Sequence, residues 1–130
     1  MQPLLASNRK FQIWLYTASH SQLLLRSNPS AEGEERIEVL FKGVCWMNLP
    51  AHLDGLVLTE AHGDSATELL ERSGVAASTG ADHRFFILRG SGYQAVVVAL
   101  AAVVHRDHLS WDAPSGFQEQ NLFVGVHRNA

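Results

Sequence analysis

Residues 95–104 read A-V-V-V-A-L-A-A-V-V, ten apolar positions in succession and the longest such run in the chain. A segment with no polar side must be covered on more than one face, so it dictates what the rest of the fold has to build around it. At half the roughly 20 residues needed to cross a bilayer, it belongs inside a protein and predicts no membrane anchor. Five of the ten residues are valine, whose branched Cβ fits a pleated surface better than a helix. Upstream lie H-R-F-F-I-L-R, the connection G-S-G, and Y-Q leading into the run, which together give a hairpin pattern. The expectation is one central strand from Tyr93 to Val104, covered on both faces, with a helix over residues 95–104 as the alternative because alanine is common there.

Other segments supply its neighbours. F-Q-I-W-L-Y-T-A and Q-L-L-L-R-S read as a hairpin with His20 near its turn. Arg36 to Lys42 alternates, with Ile37, Val39 and Phe41 on one face and Glu38, Leu40 and Lys42 on the other, as in a strand with one buried side. Gly43 marks a bulge, and residues 44–47 extend the apolar character as far as Pro50. Residues 53–55 are expected to turn the chain and 56–61 to return as a strand. N-L-F-V-G-V-H, residues 121–127, alternates as a closing strand. The loops fall at residues 27–35, 75–82 and 110–116, where turn formers collect. One short helix is expected near residues 65–73, opened by the capping-box pattern S-A-T-E and closed by Gly74.

The fold class is therefore α+β but mainly β: about seven antiparallel strands in a meander or partly closed barrel, with one short helix. With 130 residues, 46% hydrophobic and 18% charged, the chain is one domain's worth of ordinary globular protein, residues 1–130. A formal charge of -3 argues against nucleic acid as a partner. The N-terminus lacks a charged start followed by a sustained apolar stretch, and there is one cysteine. Both features lead to the expectation of a reducing, cytoplasmic setting. Cys45, between Val44 and Trp46, is expected to pack as a small hydrophobe with a raised pKa, which makes it a poor nucleophile.

Catalytic patterns are sparse. No G-x-S-x-G elbow, phosphate loop or zinc spacing occurs, and His62, His83, His105 and His108 have no fixed tetrahedral register. Ser19 beside His20 is adjacent in sequence only. The carboxylates Glu34, Glu35, Glu60 and Asp64 fit a solvated loop and a helix start. H-R-D-H is the exception. On a strand, His105 and Asp107 share a face, and His127 could complete a two-histidine, one-carboxylate site for Fe(II).

Apolar surface is in better supply. Trp14 and Tyr16 share a face of the first strand opposite Ile13 and Leu15, so that strand needs a cover on its second side. Trp111 stands in a polar loop. The leading expectation is a small non-enzymatic binding domain that uses Trp14, Tyr16, His20 and Trp111 and requires no cofactor. It would take a protein partner, a second copy paired through an edge strand, or a small apolar ligand. The second reading is a metal-dependent enzyme using His105, Asp107 and His127.

Overall fold

A computed structural model of the chain describes residues 2–74 and 82–119. Among these residues, eight strands carry the fold: β1 (Leu5–Thr17), β2 (Gln22–Ser27), β3 (Arg36–Lys42), β4 (Trp46–Met47), β5 (His52–Ala61), β6 (Arg84–Gly90), β7 (Tyr93–Ala99) and β8 (Ala101–Asp107). Helix α1 (Asp64–Ser73) follows β5, and a single turn, α2 (Gly116–Glu119), lies at the end of the described chain. All strands belong to one antiparallel sheet of order β4-β7-β6-β5-β1-β2-β3-β8, curled round one core without closing its ladder. Leu5, Phe11, Leu25, Phe41, Leu56, Phe86 and Val97 fill that core, joined at its margins by Met47 of β4 and Val104 of β8, so every strand contributes. The expected mainly-β architecture with one short helix is the one observed. The expected closing strand at residues 121–127 lies outside the described residues. Among the described residues, no helix is long and apolar enough to cross a membrane.

The valine-rich run is extended, but it is two strands. Leu100 turns outward, 46% exposed, and the chain bends there, so that β7 lies beside β6 while β8 pairs with β3 at the end of the sheet. The reason is the opposite corner. Gly43 adopts φ +66, where a Cβ would run into the Leu100 side chain, and this lets β3 bend into β4 alongside β7 bending into β8. Leu100 N donates to Lys42 O at 2.9 Å and Cys45 N to Val98 O at 2.9 Å, which stitches the two corners together.

Other local expectations change for similar reasons. Residues 53–55 do not turn the chain, because β5 runs straight through them, and Gly55, with φ +81, faces the two residues Asn8 and Arg9 across a bulge in β1. The second hairpin turns on two residues rather than three, since Gly90 pairs with Tyr93. Helix α1 ends as expected on left-handed Gly74, but Gly63 precedes its first turn and no side chain caps it. The capping box does not form. Cys45 is exposed at the corner rather than packed, although local desolvation does push its thiol up.

The sheet has an outer face as well as a core, and it is covered twice. Over β4, β7, β6 and β5, α1 packs Leu69, Leu70 and Ala66 on Phe85, Val96 and Val98. Over β1, β2, β3 and β8 there is no long helix among the described residues. There the chain after β8 doubles back as a strap, and Phe117 is buried with Trp14 on Leu24 and Leu40.

Candidate functional site

Under the strap, β3 is buried on both faces, contrary to the one-sided strand that its alternation suggests. Antiparallel pairing sets Arg26 opposite Glu38, Glu38 opposite His105, and Arg36 opposite Asp107. Cross-strand partners share a face, so these five groups form one patch on the outer side. Arg36 and Glu38 are wholly inaccessible to solvent and Arg26 nearly so. Burying such charges is costly unless every donor and acceptor is matched.

They are matched. Glu38 Oε2 accepts from Arg26 Nε at 3.1 Å and Nη2 at 2.8 Å, while its Oε1 accepts from Ser115 Oγ at 3.1 Å and Gly116 N at 2.9 Å. Arg36 donates to Asp107 through Nε at 3.0 Å and Nη2 at 2.8 Å. Its remaining N–H groups reach the carbonyls of Ser110 at 3.3 Å, Ala113 at 2.9 Å and Pro114 at 2.9 Å. All five donors of the guanidinium are thus used, three of them on the strap's own backbone. Arg26 adds a bond from Nη1 to Trp111 O at 2.9 Å and lies 4.2 Å over the Trp14 ring. Two guanidinium groups face two carboxylates, so the patch cancels its charge locally.

Burial pushes the Asp107 carboxyl up, but the Arg36 bonds, the Leu109 N–H and the charges of Arg36 and His105 outweigh it and hold the group below the usual carboxylate range. Desolvation lowers the Arg26 pKa against the raising effect of Glu38. His105 Nε2 lies 3.1 Å from Asp107 Oδ2, and its ring packs 5.6 Å from that of Phe117. Gly116 passes so close above that a Cβ there would land on the imidazole.

The proposed metal residues are brought together in part. His105 and Asp107 do share a face, as expected, and Glu38 joins them, with one ligand atom from each within 4.8 Å of the others. His127 lies outside the described residues. The donor chemistry does not suit an ion. Arg26 already grips Glu38 Oε2 through two N–H groups and Arg36 holds both oxygens of Asp107, so a cation would have to stand beside two guanidinium groups after displacing them.

The proposed binding residues divide. Trp14 and Trp111 meet around Arg26, one beneath its guanidinium and one accepting through its carbonyl. Tyr16 and His20 lie at the other end of the hairpin, and His20 Nδ1 is 3.0 Å from Ser19 Oγ in the exposed turn. Among the described residues, no third group orients that imidazole as nucleophilic catalysis requires. Trp14 is the extra residue of a bulge, since Ile13 pairs with Leu25 while Leu15 pairs with Leu24. The pleat reverses there, so Tyr16 pairs with Leu23 of the core face, and Trp14 and Tyr16 do not share a side as simple alternation predicts.

Sequence reasoning missed Arg26, Arg36, Glu38, Ser115, Gly116 and Phe117. One signal was present: Leu23, Leu24 and Leu25 in succession, with Leu40 on the polar face of β3, require a second layer over this part of the sheet. No protein-family model, curated protein or solved structure matches the chain, so the chemistry of the site rests on its own residues.

Proposed function

We propose that this chain is a non-enzymatic binding domain, and that its strap presents Trp111 as the anchor for a protein partner. One observation carries the reading. Buried Arg36 fixes the carbonyls of Ser110, Ala113 and Pro114, and Arg26 fixes that of Trp111, yet the Trp111 side chain remains 61% exposed. A large aromatic held outward on an immobilised backbone has little entropy left to lose on binding, which is the property of interface hot spots. Leu109, exposed on the same loop, widens the apolar contact. The charge network beneath serves as scaffold in this reading, because its acids and bases are consumed by one another.

The reading is tested by a photo-crosslinking residue placed at position 111 in the chain's own cells, with exposed Val57 as the control position. The expected result is one adduct of constant mass that excess unlabelled protein competes away. Its mass distinguishes a second copy of this chain from a different protein. Equal or absent adducts at positions 111 and 57 would overturn the proposal.

A further inference from the structure

The helical cover leaves one corner of its face open. Between α1 and the β4–β7 end of the sheet lies a cavity of about 200 Å³, lined by Trp46, Asn48, Leu69, Arg72 and Val96. Trp46, Leu69 and Val96 belong to the apolar cluster beneath the helix, so one wall is hydrophobic.

The polar wall follows from how β4 ends. β4 has two residues, and the next position pairs with β7 by using its side chain. Asn48 N donates to Val96 O at 3.1 Å, and Val96 N donates to Asn48 Oδ1 at 2.7 Å. The amide oxygen is thereby occupied, and among the described residues Nδ2 has no acceptor, which leaves two N–H groups at the cavity. Arg72, from the last turn of α1, supplies a cation on the same lining. Among the described residues its one partner is Glu68 Oε1 at 3.7 Å, beyond hydrogen-bond length, with both side chains about two-thirds exposed. The guanidinium therefore keeps its planar fork available.

An apolar wall with donors from Asn48 and the Arg72 guanidinium on the same lining matches a carboxylate on a compact hydrophobic body. Size narrows the class. A dry cavity of about 150 Å³ accepts benzene, so this one has room for a ring or a short chain plus a carboxylate, and none for a long-chain lipid.

We propose that this cavity binds a small aromatic or short-chain monocarboxylate, with its apolar body against Trp46, Leu69 and Val96 and its carboxylate on Arg72 and the Asn48 amide. The site lies under α1, on the part of the sheet that the strap does not cover, and is independent of Trp111.

The test is an NMR titration of isotope-labelled protein with sodium benzoate and, separately, with benzyl alcohol as the neutral probe. Saturable shifts confined to the Trp46 indole and the Asn48 and Val96 amides are expected, with benzoate bound about tenfold more tightly than the alcohol, the scale of one charge-assisted contact. Arg72→Gln, an exposed substitution that leaves the fold intact, should abolish the preference for benzoate while leaving the alcohol's affinity unchanged. Absence of saturable shifts, equal affinity for the two probes, or an unchanged preference in Arg72→Gln would each overturn the proposal.

Discussion

The two covers on the outer face of the sheet solve the same problem by opposite means. Over β4, β7, β6 and β5, the helix α1 lays leucine and alanine on phenylalanine and valine. Over β1, β2, β3 and β8, a nearly helix-free strap is tied down by two buried arginines and two carboxylates, with Phe117 as the apolar plug. Apolar contact is non-directional, so the helical cover tolerates an imperfect fit and leaves a cavity at one corner. A buried charge network tolerates nothing of the kind, because each unmatched group carries its full desolvation cost. The first cover stabilises; the second also specifies one backbone path, and Trp111 lies on that path.

The contrast is sharpest at Arg36. Arg36→Met should strip the Asp107 carboxylate of its guanidinium, leave three strap carbonyls without that donor and cost about 3 kcal/mol, near the lower end for a broken buried pair because Asp107 keeps the Leu109 N–H and can rehydrate. Chemical denaturation would measure it, and a loss below about 1 kcal/mol would place the strap's stability in its apolar contacts instead. On the helical side, Leu69→Ala should cost about 2 kcal/mol, at the low end for a buried leucine because the helix can settle. That loss should be the same at neutral and acid pH. Gly116→Ala sets a methyl against the His105 ring and should cost about 1 to 2 kcal/mol through overpacking, read as a lowered Tm. A neutral result would mean that the strap is free to lift.

Acid should separate the covers by the smallest margin. The folded-state pKa of Asp107 lies below its unfolded value, so its contribution is fully present above the ordinary carboxylate range near pH 4 and is lost as pH falls through the lowered value. Below about pH 4, protease cleavage at residues 108–115 should therefore accelerate before the α1 region loosens. Simultaneous loss of both regions would contradict two independent covers.

The same contrast explains what could be read from the chain. Helix α1 was legible from Gly74 at its end, and both hairpins from the apolar runs that flank their turns. The strap has no period to detect, since S-W-D-A-P-S-G reads as a solvated loop and its anchors lie some 70 to 80 residues earlier in the chain. Arg36, Glu38 and Lys42 gave β3 the pattern of a solvent-facing side, because alternation reports polarity and not whether polar groups find one another. The bend at Leu100 was hidden for a related reason. The residue is as apolar as its neighbours, and only its meeting with Gly43 makes it a corner. His105 and Asp107 were recognisable as co-facial, but the arginines that occupy their site came from other strands.

Amide hydrogen exchange at Gly116 and Phe117 tests the strap most directly, because Gly116 N donates to Glu38 and Phe117 N to Ser115 Oγ. In the wild-type protein at neutral pH, both amides should exchange far more slowly than those of the exposed loop at residues 31–33. In Glu38→Gln they should lose that protection while the β6 and β7 amides keep theirs. Unprotected Gly116 and Phe117 in the wild type, or protection unchanged in Glu38→Gln, would contradict a strap held by the buried charges.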